Sequence, residues 1–417
     1  MTRASKVVFF APHAPGEHGG VANATWRIAQ QAAARGEEVH LVCWSKHAPP
    51  GGCVTRERHG RGEALDSSEE PSSEDQGRSE DQGRSEKQCV FEHHVGRQGD
   101  LERDLMALVE HGSSVLQRSD ADLVHAIYGS DAGYAGVLAA QLAGVASLLS
   151  LRGNDVDRGL FRTDQFHLLK HAVENATLVS GVSREICMKA GRAFNRSVNH
   201  VTNSVDARVF KPEEPDNSLR AALDLEPGAK VLGFVGELRE KKGMRFLLPA
   251  FAELSRGAPL HLLLIGGVRR DAQRAYAAFE ATAPDAAARI KLLEYSGSPK
   301  RLCRLLALCD LVVFPSLFEG TPNAALEAMA AARPVLATRV GGHIDIIEHG
   351  VTGALLDTHD LDQLPDAMQE CLESAERLTW GKRARNYVLQ AHAPSLESET
   401  YERLYAEARA AKLSPLT

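Results

Sequence analysis

Two glutamates, Glu319 and Glu327, stand in the run DLVVFPSLFEGTPNAALEAMAAARPVLATRVGGHIDII over residues 310–347. An ionised carboxylate only accepts hydrogen bonds, so such a pair suits a hydroxyl-rich ligand, a ribose or a hexose, better than a phosphate. The pattern predicts a strand ending at Ser316, Glu319 on the loop that follows, and Glu327 on a helix opening near Pro322 or Asn323. Proline is at home in a first turn, and the free backbone donors of a helix start attract anions. Taken singly, Glu319 reads as a helix cap and Glu327 as a solvated charge. With Gly320 beside the first and Gly341-Gly342 opening the next strand-end loop, the pair reads as a site.

A second cluster, FVGELREKKG at 234–243, sets Arg239, Lys241 and Lys242 at the end of another strand. A fixed cation there can neutralise a departing anion, although a solvated turn of charges gives the same string. In GEHGGVANA at 16–24, Gly19 and Gly20 would let main chain approach a phosphate at a helix start, but the G-x-G-x-x-G spacing of a dinucleotide site is missing. In LRGNDVDRG at 151–159, Arg152 stays protonated and cannot serve as a base. It can clamp a carboxylate or phosphate, with Asn154 and Asp155 as neighbours, or it can form an ordinary loop salt bridge. Ser183, Asn203, Gly266, Gly267 and Asp345 occupy turn or strand-end positions where capping and turn chemistry are equally good readings. The histidines His13, His18, His93, His94 and His343 have no metal-ligand spacing, so no metal is expected.

The elements that must position these groups alternate strand and helix. VVFFA, a glycine-bearing loop, VANATWRIAQQAAARG and EEVHLVCW make one βαβ unit, which implies a parallel sheet covered by helices. The alternation breaks in a polar tract at 61–88 that holds SEDQGR twice in tandem, which cannot bury enough surface to order itself. It resumes through DLVHAIY and SLLSL. After the turn-rich TNSVDARVFKPEEPDNS a second series begins: VLGFVG, HLLLIG, a long helix from Asp271, IKLLEY, DLVVFPS and PVLAT. The expected organisation is α/β: an N-terminal Rossmann-like domain over 1–205 with an insert at 61–88, a C-terminal one over 206–390, and a helix over 391–417 that crosses back to the first.

With 417 residues, 43% of them hydrophobic, the chain exceeds a single core, and its net charge of -7 argues against a nucleic-acid partner. Seven scattered cysteines without paired spacing fit a reducing cytoplasm. No apolar run approaches the roughly 20 residues of a membrane span, which leaves peripheral contact with a membrane surface open.

EGTPNAALE, with REKKG upstream, resembles the retaining nucleotide-sugar glycosyltransferases of family 4, which have the GT-B fold of two Rossmann-like domains facing a cleft. The resemblance extends over nearly the whole chain outside 61–88. It implies that Glu319 contacts the transferred sugar, that Glu327 contacts the ribose, and that main chain around Gly320, Thr321 and Asn323 lies near sugar and phosphates. Lys242 would bind the donor diphosphate, and the Gly19–Gly20 loop would close over the donor. The sequence departs from the family at Glu237, where an arginine is usual, so either Arg239 or Lys241 would reach the phosphate instead or the site would bind diphosphate less strongly than is usual. It departs again at Arg152, where many relatives carry a histidine, which makes Arg152, Asn154 and Asp155 an acceptor-side or sugar-binding group. The resemblance thus implies metal-independent transfer of a sugar from a nucleotide-sugar to an unknown acceptor, without a cofactor. A nucleotide-sugar epimerase or phosphorylase of the same fold, or a catalytically silent binder, is the alternative.

Overall fold

The computed structural model describes residues 5–15, 19–59, 89–295, 297–320 and 322–411. The expected insert at 61–88 and Thr321 lie outside the described residues. The chain forms two compact units, one of Met1–Leu151, Arg158–Ser180 and Tyr401–Thr417, the other of Arg152–Asp157 and Gly181–Thr400.

The first sheet contains β1 (Lys6–Ala11), β2 (Glu38–Trp44), β3 (Cys53–His59), β4 (Cys89–Val95), β5 (Leu123–Ile127), β6 (Ala146–Leu151), β7 (Leu178–Gly181) and β8 (Asn199–His200). Their order is β3-β4-β2-β1-β5-β6-β7-β8. β1 pairs in parallel with β2 and β5, β2 with β4, and β5 with β6. Helices cover both faces of such a sheet, which is why β1 is apolar after Lys6: Val7, Val8, Phe9, Phe10 and Ala11 are all 0% exposed. Each such large side chain contributes roughly 1.5–3 kcal/mol by leaving water.

The expectation of a purely parallel sheet fails at one edge, where β3 runs antiparallel to β4. Its sequence, CVTRERH, carries charges that suit an edge strand and hide it from an apolar-pattern reading. The register sets His59 opposite Cys89 and so brings the two flanks of the unassigned tract together. The helix Pro394–Ala410 joins this unit from Tyr401 onward. The Tyr405 hydroxyl lies 2.7 Å from His125 Nδ1, His125 Nε2 lies 2.7 Å from Ser150 Oγ, and Ser150 Oγ lies 2.8 Å from Ser180 Oγ. That buried polar chain is satisfied at each link, as burial demands.

The second sheet contains β9 (Lys230–Val235), β10 (Leu260–Ile265), β11 (Ile290–Leu293), β12 (Leu311–Phe314), β13 (Val335–Thr338) and β14 (Ala354–Leu356). It is parallel throughout, in the order β11-β10-β9-β12-β13-β14. One face buries Val231, Leu263, Val312 and Met329, the other Phe234, Leu262, Phe251 and Leu311. The long helix expected from Asp271 is instead two, Gln273–Thr282 and Pro284–Ala287, because Pro284 brings no N–H to continue the first. The loop expected at 151–159 contains the helical turn Asn154–Asp157. Because β9, β12 and β13 are parallel neighbours, their carboxyl ends lie along one edge, where open α/β sheets hold their ligands.

Candidate active site

Three loops leave that edge and are fastened to one another. Gly243, at φ 76°, lies against the Pro315 carbonyl, where a Cβ would overlap it, and Leu317 N–H donates to the Lys241 carbonyl at 2.9 Å. Gly342 N–H donates to the Gly320 carbonyl at 2.8 Å, and Gly341, at φ 47°, lies so close to the Glu319 carbonyl that no Cβ fits. A side chain on Gly320 would meet the Arg152 carbonyl at 2.7 Å. Glycine at 320, 341 and 243 is therefore a condition of bringing these main chains together.

The fastened loops place Lys242 Nζ 2.8 Å from Glu319 Oε2, in a pair whose side chains are 16% and 12% exposed. Burial alone would raise the Glu319 pKa, but the charges of Lys242 and Lys241, with His343 and the Lys242 hydrogen bond, override it and hold the carboxyl at about 2. Lys241 donates to Asn154 Oδ1 at 2.7 Å and lies over the Phe318 ring, 4.7 Å from its centre. Burial lowers its pKa to about 8, with Glu319 opposing and Lys242 and Arg239 adding to the fall. Arg239 is half-buried, and its closest carboxylate contact is Glu237 at 4.0 Å. The site thus sets two lysines at Glu319, with Arg239 beside Lys241.

The helix Asn323–Ala330 starts beside this cluster with Pro322 at its cap in an extended conformation. Asn323 Oδ1 accepts from Asn203 Nδ2 at 2.8 Å, and Asn203 Oδ1 accepts from Arg152 Nη2 at 2.6 Å. Asp155, only 2% exposed, accepts from the amides of Arg152 at 3.0 Å and Gly153 at 2.7 Å, which braces the turn below the guanidinium. Glu327 is half-buried in the second turn of the helix.

Other expected positions have structural work. Ser183 caps the helix Arg184–Phe194 through the Ile186 amide at 3.3 Å. Asp345 accepts from the Arg184 amide at 2.8 Å. Gly266, at φ 128°, lies against Gly236, and Gly267 against Glu294. Gly19 and Gly20 belong to the first unit, where they open the helix Gly20–Ala34.

The sequence reading weighed His343 only as a metal ligand and gave it no place in the site. Its ring is 0% exposed, and Nδ1 lies 3.0 Å from the Thr338 carbonyl. A carbonyl only accepts, so Nδ1 carries the proton. Burial lowers the ring's pKa to about 4, Glu319 resists and Lys242 reinforces the fall, so the ring is neutral near pH 7.

Two family models match the chain, the glycosyl transferase 4-like domain over residues 19–202 and glycosyl transferases group 1 over residues 229–374. The chain belongs to these glycosyltransferases. A similar enzyme is the N-acetyl-alpha-D-glucosaminyl L-malate synthase of Bacillus anthracis, 24% identical over 72% of this chain and 78% of that one. The D-inositol 3-phosphate glycosyltransferase of Corynebacterium urealyticum is 30% identical over 48% of this chain, and the match spans about half of its length, 52%. Among solved structures, HepE of Anabaena with UDP and glucose aligns at a TM-score of 0.73 and 19% identity, over 97% of this chain and 100% of that one. Sucrose-phosphate synthase of Thermosynechococcus elongatus aligns at 0.76 and 20%, over 98% and 100%. This glycosyltransferase therefore has the GT-B fold. Among its described residues, no helix is long and apolar enough to cross a membrane.

Proposed function

We propose that this glycosyltransferase moves a sugar from a nucleoside-diphosphate sugar to an acceptor hydroxyl, with retention at the anomeric carbon and without a metal ion. The observation that carries the reading is the buried Lys242–Glu319 pair at 2.8 Å, flanked by Lys241, Arg239 and a helix start. An ammonium has three N–H donors, so Lys242 can hold Glu319 and a diphosphate oxygen together. Lys242 then stabilises the charge that grows on the departing diphosphate, with Lys241 and Arg239 as further cations and the free amides around Gly320 and Asn323 as further donors. Glu319 faces the transferred sugar and Glu327 the ribose.

In the step we assign, the bond from the anomeric carbon to the diphosphate oxygen breaks, and the acceptor oxygen bonds to the same face. The acceptor's proton goes to the departing oxygen. Among the relatives, two carry L-malate and D-inositol 3-phosphate in their names, so small anionic hydroxyl compounds are the first acceptors to screen. Arg152, held by Asn203, with Asn154 and Asp155 around its turn, serves the sugar or acceptor side. Seven free cysteines accord with a cytoplasmic location.

Thermal unfolding with a panel of UDP-, ADP- and GDP-sugars tests the donor class, and the anomeric configuration of the product by NMR tests retention. Stabilisation by one base series is expected. An inverted product would remove the proposed step, and no stabilisation by any of the panel would remove the donor class.

A further inference from the structure

Among the described residues of the site, His343 is a buried titratable side chain to which the proposed chemistry gives no task. Among the described residues its Nε2 has no hydrogen-bond partner, and with Nδ1 protonated toward Thr338 that nitrogen presents only a lone pair. The backbone that carries the ring is held on both sides, and Nδ1 is tied to Thr338. His343 N–H is held by the Val340 carbonyl at 3.0 Å, Gly342 by Gly320 at 2.8 Å, and Gly341 is wedged against Glu319. A buried acceptor kept without a partner costs stability, and His94 and His392 leave a ring nitrogen in the same state; what sets His343 apart is its place beside the Lys242–Glu319 pair.

The chemistry of a partner for Nε2 is narrow. Phosphate and carboxylate oxygens only accept and cannot satisfy a bare ring nitrogen. Near the ring are Phe314, with ring centres 6.1 Å apart, and the charges of Glu319 and Lys242; the Lys242 ammonium makes no hydrogen bond to Nε2 and is assigned to Glu319 and the diphosphate. A ligand O–H remains. Glu319 and His343 are two acceptors on loops bonded to each other, beside the cation assigned to the diphosphate. A group joined directly to that diphosphate, with hydroxyls on adjacent carbons, can serve both.

Resting on the nucleotide-sugar reading, we infer that His343 Nε2 accepts a hydrogen bond from a hydroxyl of the transferred sugar and so helps to select a donor with a hydroxyl at that position. An ordered water and the ribose are the other sources of an O–H, and the experiment separates all three.

The test is calorimetric titration of the full-length wild type, His343→Asn and His343→Gln with UDP, ADP and GDP, each alone and as its glucose conjugate. Asparagine can keep the donor to Thr338 but has no group at the place of Nε2, whereas the glutamine carboxamide reaches that place. For the base that binds, His343→Asn should weaken the glucose conjugate about tenfold, the scale of one lost hydrogen bond, and change the diphosphate less than about twofold. His343→Gln should recover most of the loss. Equal loss for both ligands would assign Nε2 to the nucleotide or the ring to loop support, and no loss would leave it to water; each overturns the inference. If neither variant folds, wild-type protein labelled with ¹⁵N-histidine decides the matter. The Nε2 resonance should move toward the hydrogen-bonded position on adding the glucose conjugate and not the diphosphate, and a resonance unmoved by the conjugate refutes the assignment. Wild type that binds none of the panel would instead remove the nucleotide-sugar reading, a failure visible before any variant is made.

Discussion

Replacing Lys242 by methionine tests whether the cation and Glu319 act as one unit. In the folded protein the Glu319 carboxyl is held at about 2, against an ordinary 4.5. At about 1.4 kcal/mol per unit, that gap corresponds to roughly 3 kcal/mol of folding free energy. Because the folded pKa is the lower one, this stability is present above pH 4.5 and is lost as the pH falls toward 2. Methionine keeps the length and apolar stem of lysine but strands a buried carboxylate, and breaking a buried pair from one side typically costs about 3–5 kcal/mol. Lys241 still offsets part of the charge, so the lower end of that range is expected at pH 7.5. With Lys242 gone, burial dominates and raises the Glu319 pKa, so protonation at pH 5 should relieve part of the deficit. Urea unfolding at the two pH values reads both effects, and Lys242→Met with Glu319→Gln should recover most of the stability. The single variant should also lose about a hundredfold to a thousandfold in transfer rate, the usual effect of removing one preorganised charge at a developing anion. A single variant within about 0.5 kcal/mol of wild type at both pH values would refute the coupling, since that is the range of an ordinary surface substitution.

Glu327→Ala should weaken nucleotide-sugar binding by about 1.5–3 kcal/mol, as for a hydrogen bond to a charged group, and calorimetry checks it. Burial holds His343 and His93 at about 4, below the ordinary 6.5, so both must be neutral to fold comfortably. Stability should therefore fall as the pH drops from about 6.5 toward 4, and His93→Phe should flatten part of that slope in pH-dependent melting. Since His59 pairs with Cys89, replacing residues 60–88 by Asn-Gly should leave the melting temperature and transfer rate nearly unchanged, because a two-residue turn can join antiparallel strands. Loss of transfer with an unchanged melting temperature would make the tract part of the acceptor side.

Local pattern made much of the site readable in the sequence. The buried strand β12, the proline at the helix start and the glycines around Glu319 are consequences of short-range geometry, and the structure sets Lys242 against Glu319 although 77 positions separate them. Long-range pairing was not legible. Arg152, Asn203 and Asn323 form a relay across separations of 51 and 120 positions, and no spacing rule connects an arginine with two asparagines. The setting of His343 lay hidden because a buried histidine is defined by the carbonyl it faces and by its exclusion from water, neither of which leaves a sequence period. β3 was missed because an edge strand need not be apolar, and its arginines and glutamate read as loop.

The most direct measurement of the central claim is the release of nucleoside diphosphate from a panel of nucleotide-sugars, with and without EDTA, by wild type and Glu319→Gln. The account predicts turnover of one donor that EDTA leaves unchanged and that Glu319→Gln slows chiefly in kcat, since the carboxylate grips the sugar most strongly as positive charge develops at its anomeric carbon. Turnover abolished by EDTA, or equally fast in Glu319→Gln, would contradict it.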